Sequence, residues 1–103
     1  MTIPTQLVLR ALLSDPSKEL YGVEIGQEAG LPSGTVHPIL ARLETAGWLE
    51  SRWEDIDPRA EGRPARRYYH LTPDGLELAR GALARAYGAT ARPAWLRPLG
   101  EES

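Results

Sequence analysis

The chain contains no cysteine and no phenylalanine. Without cysteine there is no disulfide, no thiolate metal site and no cysteine nucleophile, a composition that suits a reducing cytoplasm. Without phenylalanine, the bulk of a core must come from leucine, tryptophan and tyrosine. No apolar run is long enough to span a bilayer. The opening "MTIPTQLVLRALL" lacks the basic start and small-residue cleavage site of a signal peptide. Histidine is scarce: His37 and His70 are the only two, and neither has a ligand partner at metal spacing. There is no glycine-rich phosphate loop and no nucleophile motif. Pairs such as Glu54 and Asp55 lie too close to arginines, and in too polar a stretch, to suggest acid–base catalysis. The expectation is a protein that is not an enzyme and needs neither metal nor cofactor.

What is present suits one small domain: 103 residues, 42% hydrophobic and 25% charged. Only part of so short a chain can be buried, so a dimer interface would be a natural supplement to its core. The net charge of -2 hides an asymmetry. Residues 1–58 carry four basic against nine acidic side chains, and residues 59–103 carry eight arginines against five acids. An acidic total argues against nucleic acid as a partner, but binding depends on where the charge sits.

Hydrophobic periodicity predicts a helix from about Thr5 to Ser14, with Thr5 as its N-cap. After the turn "DPSKEL", Tyr21, Ile25 and Ala29 fall on one face of a second helix that Gly30 should end. "LPS" makes a short connection to a third, starting near Ser33 or Thr35, with Val36, Ile39, Leu40 and Leu43 facing inward and Gly47 at its end. "WLESRWE" and "RRYYHL" alternate as strands, with Tyr69 and Leu71 facing together. Between them "DIDPRAEGRPA" reads as a long flexible loop. "TPDG" starts a fourth helix with Thr72 as N-cap, carrying the stripe Leu76, Ala79, Leu83, Ala86 and Tyr87. The stretch 91–103 has no period and is expected to be an irregular tail.

That order defines an α+β, mainly α, winged helix-turn-helix: a DNA-binding unit over 1–72, a C-terminal helix over 73–90 and the tail. In this fold the third helix enters the DNA major groove and the loop reaches backbone or minor groove. Gly34 and Thr35 could offer backbone N–H groups to a phosphate. His37, Pro38 and Arg42 share the exposed face. The alternative is the solvated side of a core helix. Arg63, Arg66 and Arg67 lie at or beside the wing tip, where arginine suits phosphates and narrow minor grooves. The alternative there is a solvated loop that keeps a strand edge from aggregating, its arginines paired with Glu54, Asp55, Asp57 or Glu61. Trp48 and Trp53 read as packing residues and His70 as a surface strand residue.

The string "LYGVEI … GLPSGTVHPILARLETAGWLESRWE … GRPARRYYHLTPDG" resembles the PadR family of bacterial transcriptional regulators, over about residues 7–80. The resemblance implies a homodimeric, cytoplasmic, nucleoid-associated repressor that binds double-stranded DNA and is often responsive to a small-molecule effector. It places recognition on Ser33, Gly34, Thr35, His37 and Pro38 and the wing role on Arg63 and Arg66. Many relatives have tyrosine where this chain has His37. The length matches short members with a single C-terminal helix. Dimerisation is expected on that helix through Leu76, Ala79, Leu83 and Tyr87, helped by Leu9 and Leu13. A rival reading is a winged-helix protein–protein interaction module, or an effector-sensing regulator with weak intrinsic DNA binding.

Overall fold

The computed structural model describes residues 1–88. Helix α1 (Ile3–Ser14) begins two residues before the expected start. Its N-cap is Thr2, whose side chain accepts from the Thr5 N–H at 3.3 Å. Pro4 then falls in the first turn, where its missing N–H costs little. Strand β1 (Leu20–Tyr21) runs directly into α2 (Gly22–Ala29), where Glu24 accepts from the Tyr21 N–H at 3.1 Å. Gly30 closes α2 at φ 71, a conformation that favours glycine. Next come α3 (Ser33–Thr45), β2 (Leu49–Trp53), α4 (Pro58–Glu61), β3 (Arg67–Leu71) and α5 (Pro73–Gly88).

The sheet differs from the expected hairpin. It has three antiparallel strands in the order β1-β3-β2, with Leu20 opposite Tyr69 and Leu49 opposite Leu71. Two residues of β1 are too few for alternation to be visible in a sequence. The long loop is also more ordered than expected. Asp57 caps the single turn α4 by accepting from the Arg59 N–H at 3.0 Å, and Gly62 ends it at φ 69.

One core gathers all these elements except α4. The α3 stripe Val36, Ile39, Leu40 and Leu43 meets Val8, Leu9 and Leu12 of α1, Ile25 of α2, and Leu49, Tyr69 and Leu71 of the sheet. Ala79 and Leu83 of α5 belong to the same cluster. Leu9, Ala79 and Leu83 are only 0%, 0% and 9% exposed within the single chain. This corrects the physical argument for a second chain at those positions: α5 closes on α1 and buries them internally. Leu13, Leu76 and Tyr87 are half-buried against the core. The expected tail, 91–103, lies outside the described residues.

The wing and α5 are joined by a tight corner. Thr72 Oγ1 accepts from the Gly75 N–H at 2.8 Å, as a helix cap does, and donates to the Gly47 carbonyl at 2.9 Å. Gly75 rests on Trp48: a Cβ there would stand 2.0 Å from the Trp48 carbonyl oxygen. None of the described helices is long and apolar enough to cross a membrane.

Candidate nucleic-acid interface

Packing of the α3 stripe turns the other side of that helix outward. Ser33, Gly34, His37, Pro38, Ala41, Arg42 and Thr45 are all exposed, and Thr35 is half-buried. The N-cap is Pro32, which offers no side-chain hydrogen bond. Its carbonyl instead accepts from Thr35 at 2.9 Å and Val36 at 3.1 Å. The open N–H groups at this end are therefore those of Ser33 and Gly34, one residue earlier than the sequence suggested. Pro38 lies in the second turn and supplies no N–H to the Gly34 carbonyl. The His37 ring lies over Gly22: a Cβ on that glycine would come within 2.9 Å of His37 Cε1. Arg42 forms no ion pair among the described residues.

The wing arginines are differently engaged. Arg63 meets Glu54 with both terminal nitrogens, at 2.6 Å and 3.1 Å. Glu54 also accepts from the Arg66 N–H at 3.2 Å, and its own N–H donates to the Arg66 carbonyl at 2.7 Å. The Glu54 carboxyl is held at about 2, chiefly by the Arg63 guanidinium, against the opposing effect of burial and with help from the Arg66 N–H. Arg67 lies beside Glu44 of α3 at 3.3 Å and donates to Ser51 Oγ at 3.0 Å, while Ser51 donates to Glu44. Arg52 makes a fork with Glu19 at 2.8 Å. Arg66 alone of these four has no carboxylate on its guanidinium, which stands 4.5 Å above the Tyr21 ring.

These pieces share one face. A groove of about 650 Å³ runs between the start of α2, α3 and the wing, lined by Tyr21, Gly22, Val23, His37, Trp53, residues 63–67 and Tyr69. His37 and the wing arginines thus border the same concavity. Trp53, expected to be a packing residue, is 62% exposed and stands under Arg67. Trp48 is half-buried, and His70 is a half-exposed strand residue between Glu19 and Glu50. Gly22 and Tyr21 were not placed at this site by the sequence; of the acids it set as alternative partners of the wing arginines, Glu54 is the one that pairs with Arg63. Among the described residues, no group of three His, Asp or Glu side chains could hold a metal ion.

A helix-turn-helix with its second helix exposed beside an arginine-bearing hairpin defines a winged-helix protein of the DNA-binding class. The chain belongs to the PadR-like family of transcriptional regulators, whose family model matches residues 8–80. Among solved structures it is similar to a PadR family transcriptional regulator from Eggerthella lenta, at 28% identity and TM-score 0.63 over 82% of this chain and 74% of that one. The PcaV transcriptional regulator from Streptomyces coelicolor is similar at 29% identity and TM-score 0.64, over 81% of this chain and 55% of that one. A protein from Streptococcus mutans is similar at 28% identity and TM-score 0.61, over 82% and 79%. No curated protein matches the chain. The family assignment makes this chain a DNA-binding transcriptional regulator of winged-helix form.

Proposed function

We propose that this protein is a homodimeric repressor that binds a palindromic operator, reading bases with α3 and backbone with the wing. The observation that carries this reading is the shared face on which His37 and the wing arginines border one groove. Ser33 and Gly34 present open N–H groups to a phosphate, His37, Pro38 and Arg42 face base edges, and Arg66 reaches the backbone. Arg63 and Arg67 support the wing through their ion pairs. Two-fold symmetry would place two such helices in successive major grooves. The test is binding to fragments selected from a genomic DNA pool, measured across a salt series. A salt-dependent shift with preference for a two-fold sequence is the expected result; salt-independent or absent binding overturns it.

One observation favours a second reading. Arg52, Arg63 and Arg67 are already paired with carboxylates, which suits a winged-helix module that binds protein rather than DNA. The same salt series separates the two.

A further inference from the structure

We infer that Glu54 sets the DNA specificity of the wing by holding Arg63 inward, so that one cation is withheld from phosphate until a carboxylate is displaced. This rests on the DNA-binding reading above. Both terminal nitrogens of Arg63 are engaged: they meet the two Glu54 oxygens, and Nη1 also donates to the Pro64 carbonyl at 3.3 Å. The pair is partly withdrawn from water, with Glu54 and Arg63 side chains 16% and 34% exposed. A phosphate that claimed Arg63 would have to leave Glu54 in that setting with its second partner only, the Arg66 N–H.

Glu54 treats the two neighbouring arginines in opposite ways. It takes the side chain of Arg63 but only the backbone of Arg66, whose guanidinium lies over Tyr21 at the groove. One carboxylate therefore neutralises one cation at the groove and leaves the guanidinium of the other without a carboxylate partner. The other charge acting on Arg63 is Glu61 of α4, and Arg66 acts on Glu54 from just before β3. Asp57 is occupied at the α4 cap.

The consequence follows from how non-specific binding arises. Each phosphate neutralised releases counterions and adds affinity on any sequence, whereas base contacts add affinity only on the right one. Masking Arg63 lowers affinity for random DNA and leaves the bases read by α3 untouched. A carboxylate so close to an arginine does the work of a phosphate inside the free protein.

The test uses the full chain and a short random-sequence duplex, with anisotropy measured across a salt series. Glu54→Gln keeps an oxygen for the Arg66 N–H and removes the charge. It should bind random DNA several-fold more tightly at about 0.1 M salt, with a log–log slope steeper by about 0.9. Arg63→Ala should leave the wild-type slope unchanged, and the double variant should match Arg63→Ala. A folded Glu54→Gln that binds no more tightly, or with an unchanged slope, overturns the proposal. So does a flattening by about one unit in Arg63→Ala, which would put Arg63 on phosphate in the wild type and reads the question even where Glu54→Gln does not fold. No salt-dependent binding by the wild type overturns the DNA-binding reading itself.

Discussion

Thr72 and Gly75 join the wing to α5 within one turn, and each does so for a different physical reason. Thr72 satisfies an N–H that the helix start would leave open, so Thr72→Ala should cost about 1 kcal/mol. Gly75 is required by space: any side chain would drive into the Trp48 carbonyl. Gly75→Ala should cost more, roughly 1–3 kcal/mol, because backbone must move. Urea denaturation of both variants checks the order. Glu54 makes a prediction in pH. Its folded pKa, about 2, lies below the ordinary 4.5, so its stabilising effect is complete above about pH 4.5 and fades as the pH falls towards 2. The difference in urea midpoint between wild type and Glu54→Gln should shrink over that window and be constant above it. A difference that grows on acidification would contradict the ion pair.

At the scale of elements, the proposed function divides DNA contacts between α3 and the wing. His37 and Arg42 stand on the exposed face of a helix whose opposite face is core, so substituting either should reduce discrimination between operator and random DNA more than it reduces random binding. Arg66→Ala should instead weaken both together and lower the salt slope by about one unit. Equal losses on both DNAs for the α3 variants would move base readout elsewhere. Helix α5 carries a contrast of its own. Leu83 is 9% exposed and Leu78, about 1.4 turns away, is 45% exposed. Leu83→Glu would put a charge in the chain's own core and should unfold it. Leu78→Glu should stay folded and, if α5 forms the dimer contact, should yield monomers with weak operator binding. Circular dichroism with sedimentation separates these outcomes.

For the whole molecule, the question is what a chain with net charge -2 gains from so many internal ion pairs. Pairing Arg52, Arg63 and Arg67 with Glu19, Glu54 and Glu44 ties the β1 region, the wing and α3 into one unit. The Glu44, Ser51 and Arg67 network in particular links α3 to the wing base, so under the proposed function the two should meet DNA as a rigid pair. Exposed pairs add little stability singly, so this effect is positional. In a dimer, that rigidity would fix the spacing of two α3 helices near one turn of DNA, about 34 Å. Inserting half a helical turn between operator half-sites should then abolish tight binding while leaving half-site affinity intact.

The sequence by itself determined the elements whose signals are local. The spacing of Val36, Ile39, Leu40 and Leu43 sets the inner face of α3, Gly30 and Gly47 end their helices at φ 71 and 83, and Thr72 caps α5. These follow from residues within a turn or two of each other, where periodicity and capping are decided. Tertiary structure decided the remainder. The partners of Arg63, Arg67 and Arg52 lie 9, 23 and 33 residues away, brought together by strand register and the packing of α3 on the sheet. The same is true of β1, which is a strand only because β3 lies beside it, and of Leu9 and Leu83, buried in the core on which α1 and α5 close. A residue's type and spacing say which charges and apolar groups the chain can offer; which of them water, a carboxylate or a phosphate meets depends on what folding sets against them.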